Sequence, residues 1–366
     1  MKVLVACGGS GGHIFPAIAL TQGLKERDKT IELLFVGSNN VLDKRIFEKE
    51  HLHYSLLSSN KLPYKASMKT IIFFVKLFFD IIKSFFIVIK HSPDAVIGFG
   101  GYVSSPVIFA AYILRVPTVI HEQNVVPGRS NSVLFRFADR IAVSFEETKK
   151  YLGRFSTKAV FTGNPIRANL FKDDKAESIK KFGLDAAKFT ILIIGGSQGA
   201  HSLNKNFLQA MAKLDTQKSS LLQIIHITGI TDYEWVSRAY EEIGIEHRVF
   251  SFIDNIEQAY SVSDLVVTRS GASAIFEIAY FGRPMILVPY PFAMSHQAEN
   301  AKVFSRNGAA IQIDEKEMSP DIVKNRVESL LDNRAVLDQM AKRAKDLSVP
   351  DSSYNLAGEV LKIVKG

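Results

Sequence analysis

The residues best suited to chemistry lie in two glycine-rich turns, residues 8–13 (GGSGGH) and residues 195–200 (GGSQGA). Each turn follows a short apolar run that predicts a buried strand, and each precedes residues that can begin a helix. Glycine lets the backbone approach a ligand closely, and the free N–H groups of a helix N-terminus favour negative charge. Two such turns, about half a chain apart, predict two Rossmann-like domains, each with a place for a phosphate or a reacting group.

His13 closes the first turn, where a helix is predicted to begin. The positive end of a helix disfavours the imidazolium ion, so a neutral ring there is available to accept a proton. His13 is therefore a candidate general base. The alternative is a histidine that makes only structural hydrogen bonds.

Further polar residues follow two later strands of the first half, at 100–102 (GGY) and 121–124 (HEQN). In open α/β sheets, ligands bind at the carboxyl ends of the strands, so these residues are predicted to share the site of the first turn. Packing at the strand ends would also account for His121, Glu122 and Asn124.

In the second half, residues 269–273 (RSGAS) again lie between a predicted strand and a predicted helix. Ser273 and Glu277 are then one turn apart on one face of that helix. Glu277 is placed to bridge two vicinal sugar hydroxyls, or it is a solvated helix residue. The chain has no Asp-x-Asp sequence, the usual signature of a metal held against a nucleotide diphosphate. Any diphosphate here must be neutralised by helix ends and backbone donors.

The elements that must position these residues alternate between apolar strands and helical stretches. In the first half we predict strands at 2–6, 32–36, 95–98, 117–120 and 140–143, with helices near 16–27, 42–50, 68–90, 104–114 and 129–137. In the second half we predict strands near 190–194, 222–227, 247–250, 264–267, 285–288 and 310–313. This alternation predicts an α/β protein with doubly wound parallel sheets. A turn near residues 163–165 (GNP) separates domains 1–163 and 164–348, and a final helix within 349–366 is predicted to pack back on the first domain.

Residues 66–90 are dense in Phe and Ile but interrupted by charge, with Lys69, Lys76, Lys83 and Lys90 every seven residues, near one line of a helix. A membrane span is disfavoured, because each charge near the bilayer centre would cost about 2.5–3.5 kcal/mol. Two interpretations remain. The segment is a buried helix with snorkelling lysines, or it lies on an anionic membrane with its phenylalanines in the headgroup region.

Composition limits the classes of function. The 366 residues, 47% of them hydrophobic, are enough for two globular domains. Cys7 is the single cysteine, which excludes internal disulfides and Cys/His metal clusters and fits a reducing cytosol. The sequence from Met1 is predicted to run directly into a strand, unlike a secretory signal. Residues 1–163 hold 21 Lys and Arg against 12 Asp and Glu, a net charge of +9. This half is predicted to meet something anionic, a membrane or a nucleic acid, unless the asymmetry is drift in surface composition.

Taken in order, these motifs resemble the MurG family, the peripheral bacterial N-acetylglucosaminyltransferases of peptidoglycan synthesis. The resemblance spans nearly the whole chain. The matching motifs are 8–13, 100–102, 121–124, 163–167 (GNPIR), 195–200, 269–277 and 297–301 (QAENA). It implies a GT-B fold, with two Rossmann-like domains facing a central cleft, the acceptor and membrane in the first and the donor in the second. It also implies that N-acetylglucosamine passes from UDP-GlcNAc to the muramoyl 4-hydroxyl of lipid I, forming lipid II with inversion. No metal, cofactor or nucleic acid is implied, and the implied location is the cytoplasmic face of the cell membrane.

The resemblance also implies roles for single residues. His13 is the implied general base, or at least a residue of the acceptor site. Ile253 is implied to frame the uracil, Glu277 to bind the ribose hydroxyls and Gln297 to reach the sugar hydroxyls. The other implied donor contacts are Ser10, Gly11, Gly12, Asn124, Arg167, Ser197, Ala272, Ser273, Ala274, Ile275 and Phe276. The implied acceptor contacts are Tyr102, His121 and Glu122. The implied membrane contacts are Lys69, Phe73, Phe74, Lys76, Phe78, Phe79, Lys83, Phe85 and Phe86. The chain departs from the family pattern at Ser10, where threonine is common, and at His296, which replaces a glutamine.

Three other functions fit parts of the chain. A GT-B transferase with another acceptor, such as a diacylglycerol, would share the donor motifs but not 121–124 and 163–167 together. An NAD-dependent oxidoreductase would need a third glycine where Ile14 stands and an acidic residue at the end of the second strand. A nucleotide- or RNA-binding protein would use the basic first half, but no RNA-binding module is recognisable.

Overall fold

The computed structural model describes residues 1–58, 68–167, 170, 174–195, 200–291 and 296–365. The chain divides into two compact units. The first domain comprises Met1–Ala168 and Val349–Gly366, and the second domain comprises Asn169–Ser348.

The first domain is built on a parallel sheet of seven strands in the order β3-β2-β1-β4-β5-β6-β7. The strands are β1 (Lys2–Ala6), β2 (Glu32–Ser38), β3 (Tyr54–Leu57), β4 (Ala95–Gly98), β5 (Thr118–Glu122), β6 (Arg140–Val143) and β7 (Ala159–Phe161). The helices are α1 (Gly11–Arg27), α2 (Val41–Lys49), α3 (Met68–His91), α4 (Gly101–Ile113), α5 (Arg129–Leu134) and the C-terminal α15 (Ser352–Lys365). Three short 3-10 segments cover Phe135–Phe137, Glu146–Tyr151 and Gly153–Lys158.

β1 lies in the middle of this sheet and is buried on both faces, which explains its continuous apolar sequence. Val3 and Val5 pack in one core with α1 and α15, whereas Leu4 and Ala6 pack in another core on the α4 side. Because side chains alternate along a strand, four consecutive apolar residues supply both cores. The carboxyl end of β1 is thereby fixed from both sides.

The C-terminal helix α15 packs closely against α1. A Cβ atom at Gly23 of α1 would lie 2.4 Å from the carbonyl oxygen of Ser353, so only glycine permits this approach. Arg27 then places its guanidinium 3.5 Å from the ring centroid of Tyr354 and donates to that residue's carbonyl oxygen at 3.1 Å. The chain thus returns to the first domain after completing the second.

The second domain is built on a parallel sheet of six strands in the order β10-β9-β8-β11-β12-β13. The strands are β8 (Phe189–Ile194), β9 (Leu222–Ile227), β10 (Glu246–Phe250), β11 (Leu265–Thr268), β12 (Met285–Leu287) and β13 (Ala310–Gln312). The helices are α6 (Lys175–Phe182), α7 (His201–Met211), α8 (Thr216–Ser220), α9 (Tyr233–Ile243), α10 (Ile256–Val262), α11 (Ala272–Tyr280), α12 (His296–Arg306), α13 (Pro320–Leu331) and α14 (Arg334–Leu347).

The prediction of two doubly wound parallel sheets is confirmed. Two edge strands, β3 and β7, were not predicted, because three or four residues carry too little apolar pattern to be recognised. The predicted helices at 16–27 and 104–114 begin earlier, at Gly11 and at Gly101. The two helix starts were predicted too late for the same reason. Glycine is a poor helix former, so sequence patterns place it in a turn, whereas here glycines are the first residues of both helices.

Candidate functional site

In the first domain, the sheet order changes direction between the neighbouring strands β1 and β4. The chain leaves these two strands to opposite sides, and the crevice at such a switch point is where open α/β sheets bind ligands. The first glycine turn follows β1, and Gly100 and Gly101 follow β4 with φ of +90° and +74°. A Cβ at Gly101 would lie 3.0 Å from the carbonyl oxygen of Gly8 and 3.3 Å from Nδ1 of His13. Glycine is therefore required for the two turns to meet.

His13 lies in the first turn of α1, half-buried, with Nδ1 3.1 Å from the carbonyl oxygen of Gly8. A carbonyl oxygen only accepts hydrogen bonds, so Nδ1 must donate and carries the hydrogen. In the neutral ring, Nε2 then holds the free lone pair. This is the tautomer that a general base needs, with the ring oriented from behind by the backbone.

Ser10, Gly11 and Gly12 form the N-terminal end of α1, with Ser10 as the N-cap residue. The Ser10 side chain makes no capping bond, and its Oγ lies 3.3 Å from Nδ1 of His13. The first turn of α1 contains no acidic residue, so the positive end of the helix is not neutralised from within. This arrangement favours an anion beside His13.

His121 and Glu122, at the end of β5, are both buried. Burial lowers the pKa of His121 to about 4, so the ring is neutral and donates from Nε2 to the carbonyl oxygen of Gly163 at 3.3 Å. Glu122 accepts from the backbone N–H of Asn124 at 2.9 Å and from Nδ2 of Asn131 at 2.8 Å. The acceptor contacts expected of these two residues stay predictions, and the observed bonds of Glu122 hold the half-buried Asn124 in place.

Two further predicted residues adjoin α1 and α4. The hydroxyl of Tyr102, in α4, donates to the carboxylate of Asp80 at 2.8 Å. The guanidinium of Arg167 lies 4.4 Å from the ring centroid of Phe15, two residues after His13. The stacking places a cation next to the first turn of α1.

Helix α3 buries the polar residues Asp80 and Ser84 and exposes most of its large apolar residues. Asp80 is 4% exposed and accepts from the backbone N–H and the hydroxyl of Ser58 as well as from Tyr102. We call the opposite side the exposed α3 face. It comprises Met68, Ile71, Ile72, Phe74, Val75, Phe78, Phe79, Ile82, Phe86 and Ile89, all exposed large hydrophobic residues. An ordinary surface helix turns its apolar residues toward the core and its polar residues toward solvent. The exposed α3 face does the opposite, which is typical of an interaction surface.

The predicted membrane residues fall into two groups. Phe74, Phe78, Phe79 and Phe86 belong to the exposed α3 face, and the side chains of Lys76 and Lys83 are exposed as well. Phe73 and Phe85 differ, because both are half-buried: the Phe73 ring lies 5.6 Å from that of Tyr102, and Phe85 packs on the core. The side chain of Lys69 lies outside the described residues. Among the described residues, no helix is long and apolar enough to cross a bilayer.

In the second domain, the sheet order changes direction between β8 and β11. Gly195 follows β8, and residues 196–199 of the second glycine turn, with Ser197, lie outside the described residues. After β11, Gly271 caps the N-terminus of α11. The backbone of Ala272, Ser273, Ala274, Ile275 and Phe276 forms the first turn and a half of this helix. A helix N-terminus at a switch point is a position that favours an anion.

The turn before α11 is tied to the neighbouring helix α12. Ser270 donates to the carbonyl oxygen of Gln297 at 2.8 Å, and Asn300 donates to the carbonyl oxygen of Ser270 at 3.2 Å. The Gln297 side-chain oxygen accepts from the backbone N–H of Tyr290 at 2.9 Å, which leaves its NH2 group as the donor end. The loop residue Arg269 is buried and ion-paired with Glu315.

Glu277 lies one turn after Ser273 on α11, as predicted from their spacing. Glu277 is 8% exposed, and its carboxylate lies 3.5 Å from the hydroxyl of Tyr260, which donates to it. A solvated helix residue is therefore not what the structure shows. Ile253 is half-buried in the loop between β10 and α10.

Asp43 was not predicted from the sequence as a site residue. It lies in α2 and is completely buried beneath the first glycine turn. Its carboxylate accepts from the backbone N–H of Gly9 at 3.0 Å. No local pattern singles out this residue, because its partner is 34 positions away in sequence. Nowhere in the described parts of the chain do three or more His, Cys, Asp or Glu side chains cluster as a metal site.

Comparison with known proteins agrees with this geometry. Residues 3–143 match the glycosyltransferase family 28 N-terminal domain, and residues 190–356 match the glycosyltransferase family 28 C-terminal domain. The chain belongs to glycosyltransferase family 28, which confirms that it is a glycosyltransferase of the class the motifs predicted.

Its relatives carry one specific name. The chain is 34% identical to a protein of Acetivibrio thermocellus, with 99% of both chains covered, and 35% identical to one of Halalkalibacterium halodurans, with 100% of both covered. Both are called UDP-N-acetylglucosamine--N-acetylmuramyl-(pentapeptide) pyrophosphoryl-undecaprenol N-acetylglucosamine transferase. Among solved structures, MurG of Acinetobacter baumannii is similar with a TM-score of 0.78 at 27% identity, over 99% of both chains.

Proposed function

We propose that this protein transfers N-acetylglucosamine from UDP-GlcNAc to the 4-hydroxyl of the muramoyl sugar of lipid I, forming lipid II. The substrates follow from the name that the full-length relatives share. The observation that carries the chemistry is the tautomer of His13, whose Nδ1 is held by the carbonyl oxygen of Gly8 while Nε2 keeps a lone pair.

The reaction is a single displacement at the anomeric carbon of the donor sugar. Nε2 of His13 takes the proton of the acceptor hydroxyl as its oxygen forms a bond to that carbon. The bond to the diphosphate oxygen breaks on the opposite face, and UDP leaves with the electron pair. One displacement inverts the configuration, and general base catalysis of this kind contributes about 10²–10⁴ in rate.

The second domain holds the donor nucleotide in this proposal. The N-terminal N–H groups of α11 receive a phosphate, and Glu277, one turn later, accepts from the ribose hydroxyls. Ile253 frames the uracil, and the NH2 group of Gln297 reaches the sugar hydroxyls. Ser197 completes the phosphate contacts.

The first domain binds the reacting sugars. Ser10, Gly11 and Gly12 lie where the positive end of α1 favours the donor diphosphate. Asn124 and Arg167 contact the sugar or the phosphates. The acceptor contacts in this proposal are Tyr102, His121 and Glu122.

The same domain docks on the membrane that carries the acceptor lipid. The exposed α3 face supplies apolar side chains for the headgroup region, and Lys76 and Lys83 supply charge for anionic lipids. In this proposal the protein is a peripheral protein at the cytoplasmic face of the membrane.

The test is transfer of radiolabelled N-acetylglucosamine from UDP-GlcNAc to a soluble lipid I analogue, with a diacylglycerol as the competing acceptor. His13→Ala is expected to lower kcat by about 10²–10⁴ with little change in the Kd for UDP. His53→Ala, which removes an exposed histidine of the same domain, is the matched control. Transfer to the diacylglycerol alone would refute the acceptor, and unchanged turnover in His13→Ala would remove this residue from the role of base.

A further inference from the structure

Asp43 carries a buried charge that the reaction described so far does not use. Its two carboxylate oxygens accept from the backbone N–H of Gly9 at 3.1 and 3.0 Å. One of them, Oδ2, also accepts from the backbone N–H of Ser38 at 2.9 Å and from the Ser38 hydroxyl at 2.6 Å. These contacts are all from donors, as an ionised carboxylate requires. A buried charge is tolerated only with such partners, and here one of them is the first glycine turn.

The peptide group between Gly8 and Gly9 connects this carboxylate to His13. Its N–H donates to Asp43, and its carbonyl oxygen accepts from Nδ1 of His13 at 3.1 Å. The carboxylate, the peptide and the imidazole thus form one continuous chain of hydrogen bonds. A carboxylate bound to the N–H polarises the peptide and makes its carbonyl oxygen a stronger acceptor.

The glycines of the turn are what permit this chain. A Cβ at Gly8 would lie 2.4 Å from Oδ2 of Asp43, so a side chain there would displace the carboxylate. Gly9 has a φ of +83°, which turns its N–H toward Asp43 in a conformation that L side chains rarely adopt. Gly101 covers the same peptide from the other side.

The geometry points to Asp43 as a positioning residue for glycosyl transfer, acting on His13 through the Gly8–Gly9 peptide. It keeps the hydrogen on Nδ1, and it stabilises the positive ring that forms when Nε2 takes the proton of the acceptor hydroxyl. The proton passes from that hydroxyl to Nε2, Nδ1 keeps its hydrogen, and Asp43 stays ionised. The arrangement resembles the carboxylate that orients the histidine of serine hydrolases, with one peptide group inserted. This inference rests on the proposed function, in which His13 is the base.

The test compares Asp43→Asn with Ser38→Ala in the full-length protein. Asparagine keeps the volume of Asp43 but removes its charge and one acceptor. Ser38→Ala removes one hydrogen bond to the same carboxylate and leaves the bond from Gly9 intact. We expect Asp43→Asn to lower kcat about 10- to 100-fold, the order expected when a hydrogen bond to a charged group is lost, with the KM for UDP-GlcNAc within about two-fold. Ser38→Ala should retain nearly full kcat.

The second readout is the tautomer of His13, measured by ¹⁵N NMR on protein with labelled histidines and assigned by the signal that His13→Gln removes. The unsubstituted protein and Ser38→Ala should show hydrogen on Nδ1, and Asp43→Asn should show a mixture with hydrogen on Nε2. Equal loss of kcat in Asp43→Asn and Ser38→Ala, with the Nδ1 tautomer in both, would mean that Asp43 only supports the fold. Hydrogen on Nε2 in the unsubstituted protein would overturn the inference even if Asp43→Asn does not fold. Because this measurement uses no substrate, its failure is distinguishable from a failure of the proposed function, which only the transfer assay decides.

Discussion

Replacing Phe78, Phe79 and Phe86 together by serine tests whether the exposed α3 face docks on a membrane. These side chains are 60%, 63% and 68% exposed, so their contribution to the domain core is small. Full burial of a phenylalanine side chain is worth about 1.5–3 kcal/mol, so burying the exposed two-thirds is worth about 1–2 kcal/mol each. The triple variant should lose at least about 3 kcal/mol of membrane affinity, which is more than about 100-fold in Kd.

The assay is sedimentation with vesicles of phosphatidylcholine and phosphatidylglycerol, with thermal unfolding measured alongside. Phe85→Ser is the matched control, because Phe85 lies on the same helix but packs on the core. It should lower the Tm while leaving vesicle binding unchanged, whereas the triple variant should do the reverse. Vesicle binding by the triple variant within a few-fold of the unsubstituted protein would refute the docking role of the exposed α3 face.

Three further predictions concern single residues. Glu277→Ala should raise the Kd for UDP about 10-fold or more in calorimetry, because hydrogen bonds to a charged acceptor are lost; a fall in kcat alone would contradict the ribose role. Gly101→Ala places a Cβ 3.0 Å from the carbonyl oxygen that orients the base, so kcat in the transfer assay should fall at least about 10-fold. In Gly153→Ala, where φ is also positive but nothing lies within 4 Å, only the Tm should fall; equal kcat in the two variants would contradict the packing argument. His226 lies in β9 and, like His121, is completely buried. Burial lowers the pKa of His121 to about 4 and that of His226 to about 3. Between those values and the unfolded pKa of about 6.5, the unfolded chain binds more protons than the folded one. The stabilisation present at pH 7 is therefore lost as the pH falls, by about 2 kcal/mol per histidine at pH 5, and a calorimetric Tm equal at both pH values would contradict this.

The central strands of both sheets could be predicted because burial on both faces requires continuous apolar runs, as in β1 and β8. The strands β3 and β7 could not, since edge strands of three or four residues are formed by pairing with a neighbour rather than by their own pattern. The true beginning of α1 was equally hidden. Gly11 and Gly12 are helical because the residues that follow them form a helix, whereas glycine itself has a low helix propensity.

The candidate site was predictable where chemistry and local sequence coincide. His13 stands out because a titratable ring follows a glycine turn, and Glu277 because it follows a helix N-terminus by one turn. Asp43 was not predictable, since its contact with Gly9 arises only when α2 packs beneath the turn. Which residues of α3 are buried and which are exposed could not be predicted either. Phe85 and Phe86 are neighbours in sequence, yet Phe85 is half-buried and Phe86 is exposed. Apolar composition predicts an interaction surface, but only the packing of Asp80 shows which side of the helix is free.

The two domains place opposite charge requirements at the same topological position. At both switch points a helix N-terminus favours an anion, and this suits a nucleotide diphosphate without further help. It does not suit a base that becomes positive when it works, because the same helix end disfavours a cation. In our inference, the carboxylate of Asp43, linked to His13 through one peptide, stabilises the positive ring in the first domain. In the second domain, the charged residue before α11 is Arg269, which is paired with Glu315, so the pair adds no net charge beside this helix N-terminus. In the proposed function the second domain binds the nucleotide and the first domain supplies the base, and we infer that the buried carboxylate of Asp43 accounts for this difference between two similar helix ends.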